Sequence, residues 1–173
     1  MVESRAFPLR PAPDPSVRFQ GTYREEAWRR CARMSEADGI RFAPWPHPDV
    51  FPSWSVPALE AAKCAARQGA DLFERVHLAL YQAFFGESRN IADPAEVAAV
   101  VAAAGGDMAR FAADQAAGVG RQALAEDYEA AMTEHGVRSI PTVLVPATGR
   151  RLVGLAGLAD YRAIVEEALS VPS

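Results

Sequence analysis

Gly136-Val137-Arg138-Ser139-Ile140-Pro141-Thr142-Val143-Leu144-Val145 is the stretch whose reading decides the fold. A glycine-started segment leads to one proline, and a β-branched and aliphatic run follows at once. Proline donates no backbone hydrogen bond and is confined to strand edges, first positions or bulges. Pro141 therefore begins a strand over 142–145 and does not lie inside one. X-Pro bonds are the peptide bonds that adopt cis with any frequency, so Ile140–Pro141 is a candidate for that geometry.

Working outward, residues 146–149 read as a turn and 151–154 as a returning strand, which makes an antiparallel hairpin. A last helix is expected from about Ala159 to Ser170, with Leu158, Tyr161, Ile164, Val165 and Leu169 as its apolar face. Upstream the pattern is helical. Thr22 with Glu25 reads as a capping box opening a helix to about Ala37, stopped by Gly39. Trp28, Cys31, Ala32 and Ser35 share one face of it, so Cys31 reads as a small buried hydrophobe. Ser55 and Pro57 open a helix to Gln68. Cys64 falls among Glu60, Lys63 and Arg67, on what reads as the polar side. From Asp71, Leu72, Val76, Leu80 and Phe84 form a stripe beside Phe73, His77, Tyr81 and Phe85, marking a central helix. Asp93-Pro94-Ala95-Glu96 and Asp107 start two more, and a longer helix follows Gly120 and ends at Gly136. Near the start, Arg5 to Arg10 alternates apolar and polar positions and reads as a short edge strand containing Pro8. Residues 41–54 are extended and rich in proline and aromatic rings. They read as a loop covering the core or as one wall of a groove, with Trp45 and Trp54 as its candidate contact residues.

Composition bounds the function. The 173 residues are half hydrophobic, enough for one domain carrying an inserted subdomain. A net charge of -4 argues against a nucleic-acid binder. No apolar run reaches the ~18 residues of a membrane span. The first ten residues lack a hydrophobic signal core, which makes the cytoplasm the expected location. The two cysteines form no Cys-x-x-Cys pair, and the three histidines are scattered, so neither a metal nor another cofactor is expected.

The order of these segments carries a resemblance. Phe7-Pro8-Leu9-Arg10-Pro11, the helix Ala58-Leu59-Glu60-Ala61-Ala62 through Gly69, and Leu80-Tyr81-Gln82-Ala83-Phe84-Phe85 with Asn90-Ile91 and Asp93 come first. Gly136 to Thr142 and Leu152-Val153-Gly154-Leu155-Ala156-Gly157 complete it. Together they resemble the DsbA family of thioredoxin-fold proteins, and most its cytoplasmic FrnE-like branch. The resemblance implies an α/β, thioredoxin-like fold of DsbA type with an inserted all-α helical domain. Residues 1–20 and 136–173 would be the thioredoxin-like part and 21–135 the insertion. It implies that Pro141 is the family's cis-proline beside the redox pair. Ser139, Ile140 and Pro141 would then bind an extended protein or peptide thiol or disulfide substrate by strand addition.

The chain also departs from the family. There, a strand and a helix carrying Cys-x-x-Cys precede the Phe-Pro-Leu segment; this sequence begins after them. Neither Cys31 nor Cys64 stands at the matching position, so the N-terminal βα unit and its nucleophile are expected to be missing. Removing a central strand leaves three solutions open: a shortened gene product, direct pairing of the flanking strands, or a strand supplied by a second copy in a homodimer. The expected function is that of a protein-disulfide oxidoreductase family member without redox turnover of its own. The alternatives are a non-catalytic peptide-binding module, and a protein like the 2-hydroxychromene-2-carboxylate isomerases and kappa-class glutathione transferases, which carry a serine at that place.

Overall fold

Small side chains on one helix set the architecture. The computed structural model describes residues 3–47 and 50–170, so Pro48 of the proline-rich segment lies outside it. The elements are α1 (Tyr23–Ser35), a 3-10 turn (Glu36–Asp38), α2 (Val56–Ala66), α3 (Ala70–Tyr81), a π-helical turn (Gln82–Gly86) and α4 (Pro94–Ala103). Then come α5 (Met108–Ala116), α6 (Val119–Thr133), β1 (Thr142–Val145), β2 (Arg150–Val153) and α7 (Leu158–Ser170). The chain forms two compact units, one up to Tyr128 and one from Glu129 onward.

In the first unit α2 is the hub. Ala58, Ala61, Ala62, Cys64 and Ala65 are buried with Leu72, Val76 and Leu80 of α3, Val97, Val100 and Val101 of α4, and Phe111 of α5. Alanine at these places lets neighbouring helices come close. The caps read from sequence form. Thr22 Oγ1 accepts from Arg24 N–H at 3.2 Å, while Gly21 N–H donates to Glu25 Oε2 at 3.0 Å. Asp93 Oδ1 accepts from Ala95 N–H at 2.8 Å and Asp107 Oδ1 from Arg110 N–H at 3.0 Å. Each such cap contributes about 1 kcal/mol. The first helix ends two residues sooner than expected, and Gly39, at φ 69°, closes the 3-10 turn behind it.

Three sequence expectations fail. Residues 5–10 form no strand. Their backbone groups find other partners: Ala6 N–H donates to Asp127 Oδ2 at 2.6 Å, and Arg10 N–H donates to Ser55 Oγ at 3.2 Å. Ser55 is thus drawn away from capping α2 with its side chain. Cys64 is 0% exposed, not on a polar side. Its sulfur faces Gly120 of α6, where an added Cβ would sit 2.7 Å from Sγ. Cys31 is half-buried instead of buried.

A second cluster joins Val17, Phe19, Trp45 and Phe51, with Trp28 and Phe84 against it. Trp45 and Phe51 meet edge-on with centroids 5.1 Å apart, as do Trp28 and Phe84 at 5.2 Å. Such pairs add about 0.5–1.5 kcal/mol each beyond area burial. Trp45 and Phe51 of the proline-rich segment thus belong to this core.

Asp127 of α6 is charged, 3% exposed and fully engaged. Besides Ala6 N–H, it takes Arg5 Nη1 at 3.0 Å and a close contact from Lys63 Nζ of α2. Burial alone would push its carboxyl up; the hydrogen bonds from Lys63, Ala6 and Arg5 outweigh that and hold it below the usual carboxylate range. Removing the charge leaves Lys63 without its partner. Asp127→Asn is expected to destabilise the chain by about 3 kcal/mol in a urea melt at about pH 7, and a loss under about 1 kcal/mol would contradict this. A depressed carboxyl stabilises in full above its unfolded value of about 3.9 and loses that contribution as pH falls through the lower folded value. The gap between wild type and variant should therefore close in acid.

Candidate functional site

The second unit is built on the stretch that follows α6. Gly136, at φ 59°, turns the chain out of the helix, and Val137 N–H donates back to Ala131 O at 2.8 Å. Arg151 Nη2 donates to His135 O, joining β2 to this turn. The Ile140–Pro141 peptide bond is cis. Thr142 Oγ1 donates to Ser139 O at 2.6 Å, and Gly154 N–H donates to Pro141 O at 2.8 Å. The first of these bonds pins the start of β1, and the second ties the Pro141 carbonyl just before β1 to the Gly154 N–H just after β2.

β1 pairs antiparallel with β2, setting Thr142 opposite Val153 and Val145 opposite Arg150. Gly149, at φ 69°, permits the tight return. α7 packs on β1 through buried Ile164, and Arg150 Nη1 meets Glu167 Oε2 at 3.0 Å. The sheet has two strands, so among the described residues nothing pairs with the far edge of β1. The two edges differ in chemistry. β2 presents Arg150 and Arg151, charges of the kind that discourage further pairing. β1 carries no charge.

Ser139, Ile140 and Pro141 are all exposed and lead into that uncharged edge; Ile140 is 39% exposed. Ile140 makes no backbone hydrogen bond among the described residues. The geometry leaves an N–H and a C=O free beside a rigid corner, which suits an incoming main chain. The other two candidates serve the first unit. Trp45 is 3% exposed, packed between Phe51 and Phe84, and offers no ring face to an outside ligand. Trp54 is half-buried beside Ala6, Val56 and Leu124, and its Nε1–H donates to Ala92 O at 3.3 Å.

The thiol chemistry within reach of this chain is limited. Both cysteines are free, and both lie in the first unit, on α1 and α2. Burial, and then the charge of Asp114, push the Cys64 thiol up and away from the reactive thiolate. Among the described residues no three His, Cys, Asp or Glu side chains gather as a metal site. Two cavities among the described residues, of about 230 and 450 Å³, are lined by residues of the first unit.

The family model of the DSBA-like thioredoxin domain matches residues 2–166. The chain belongs to the DsbA-like thioredoxin family. Among solved structures, this DsbA-like chain is similar to the crystal structure of a "putative protein disulfide isomerase" from Nitrosomonas europaea. The likeness has a TM-score of 0.72 at 14% identity, covering 89% of this chain and 77% of that one. No curated protein matches. The fold is thus the thioredoxin-like DsbA type, mixed α/β but mostly helical, with seven α-helices and a two-stranded sheet among the described residues. No described helix is long and apolar enough to cross a membrane.

The burial of the thiols has a direct readout. A thiol reagent on the native chain should label Cys31 and spare Cys64, and denaturant should release the second. Native labelling of both would contradict the close contact of α2 with α6 at Gly120.

Proposed function

We propose that this chain holds polypeptide substrates of DsbA type, gripping an extended segment along Ser139-Ile140-Pro141 and the outer edge of β1. The observation that carries the reading is the uncharged edge of β1, which pairs with nothing among the described residues, with Ile140 at its head making no backbone hydrogen bond among them. Strand addition there would take affinity from main-chain hydrogen bonds and selectivity from the alternating side chains of the bound segment.

In this reading the 173 residues bind protein thiols or disulfides without exchanging them. Exchange needs a thiolate and a second cysteine within reach. The sequence contains no Cys-x-x-Cys, and Cys64 is buried with its thiol pushed up. A peptide-binding module without catalysis is the same proposal seen from its ligand. The glutathione-dependent isomerase and transferase reading gains no observation of its own. We also place the chain in the FrnE-like branch, acting in the cytoplasm, on the quoted segments. The division into a thioredoxin-like part (1–20 with 136–173) and a helical insertion (21–135) belongs to this reading, as does a homodimer as one way to complete the sheet.

Dithiothreitol-driven reduction of insulin tests the redox half. The chain is expected to leave the rate at background, as its double Cys31→Ser, Cys64→Ser variant does. Turnover that disappears in that variant would overturn the proposal.

A further inference from the structure

α7 carries two apolar rows and the fold uses one of them. Ile164 is buried, with Tyr161 and Ala168 half-buried beside it. Leu158, Val165 and Leu169 are instead 65%, 47% and 81% exposed. Their spacing, i, i+7 and i+11, puts them in one row along the helix, turned about 90° from the buried row. Scattered exposed aliphatic residues are ordinary, whereas a contiguous row marks a contact surface.

The hairpin fixes where this row lies. Val145 stands opposite Arg150, so both side chains point to the same face of the sheet. Arg150 Nη1 reaches Glu167 Oε2 of α7 at 3.0 Å, which makes that face, with Val143 and Val145, the one under α7. The same ion pair puts Glu167 on the β2 side of the helix. Glu167 lies about 90° from the buried row in the other direction, so Leu158, Val165 and Leu169 are on the flank away from β2. That flank overhangs the edge of β1 that pairs with nothing among the described residues. Arg162 and Glu166 follow on the outer side of the row, one charge of each sign, and so favour neither sign in a ligand.

A strand added to this edge has one of its faces under the row. From Leu158 to Leu169 the row runs about 16 Å. Alternate side chains of an extended chain are about 6.7 Å apart, so the row spans three of them. A second copy added through its own β1 fits less well. Helices pack about 8–10 Å apart and neighbouring strands about 4.8 Å. Two chains joined β1 to β1 would crowd their α7 helices, each packed on its own β1, below the helix spacing. A lone extended segment brings no helix with it.

Resting on the strand addition inferred for this edge, we propose that α7 selects the segment that binds. It takes polypeptide with an aliphatic or aromatic residue at every second position, three of them set against Leu158, Val165 and Leu169, with polar residues between. Such alternation belongs to the unpaired strands of unfolded proteins, half of whose side chains are made for a core.

Amide-shift titration of the full chain with two cysteine-free, nine-residue peptides of one composition tests this. The first has leucine at its third, fifth and seventh positions and serine or threonine elsewhere; the second has its three leucines consecutive, which sets only two on one face. The first is expected to bind at least about tenfold more tightly, the scale of one apolar side chain buried or left in water. Val165→Gln with Leu169→Gln should remove that preference while the Ile140 and β1 amides still shift. Ala159→Gln with Ala163→Gln, at exposed positions on the solvent side of α7, should keep it. Equal affinity for the two peptides with β1 still shifting, or a preference that survives Val165→Gln with Leu169→Gln, overturns the selection and leaves the strand addition standing. No shift at Ile140 and β1 with either peptide overturns both. Sedimentation of the chain alone completes the test: a dimer that the first peptide does not disperse gives the edge to a second copy and overturns the selection.

Discussion

The carboxylate of Asp127 is the constraint on which the first unit depends. It is a buried charge, and a buried charge is tolerated only when paired and hydrogen-bonded. Its partners come from three places in the chain: Lys63 on α2, Arg5, and the backbone of Ala6. One group therefore holds the N-terminal segment and α6 to the hub helix. The alanine face of α2 works to the same end, because small side chains and Gly120 let α6 come within contact of Cys64. Among the described residues the N-terminal segment pairs with no strand, and the Asp127 carboxylate accepts from its Ala6 N–H.

Local signals were legible in the sequence and tertiary ones were not. The capping residues Thr22, Asp93 and Asp107 were readable because their chemistry acts within three residues. The hairpin was readable because Pro141 starts the strand and Gly149 closes the turn. Residues 5–10 alternate like a strand, yet alternation does not name a partner, and the partner proved to be a carboxylate and a serine hydroxyl. Cys64 sits among charged residues in sequence, but a glycine on a distant helix decides its burial. Nothing local in the sequence marks Asp127 as a buried acid. The signal that could have found it is Lys63, the single lysine, set in an alanine-rich helix that is otherwise buried on most sides.

The candidate residues divide between two settings. Ser139, Ile140 and Pro141 stand together on the exposed lead into β1. Trp45 and Trp54 lie in a segment whose sequence reads either as a loop covering the core or as one wall of a groove, because aromatic rings among prolines suit both. Phe19, Phe51 and Phe84 close over Trp45 and make it core. What separates the two cases is backbone supply. Ile140 keeps free main-chain groups beside a corner pinned by Thr142 and Gly154, while the tryptophans have spent their surfaces on the fold.

Strand addition at that edge is the central claim, and backbone amide shifts during titration with an unstructured, cysteine-free peptide test it most directly. The account predicts that the amides of Ile140 and of the outward-facing β1 residues shift together and saturate, while those of β2 change little. Shifts confined to the Trp45–Trp54 segment, or saturable binding that leaves Ile140 and β1 unmoved, would contradict it.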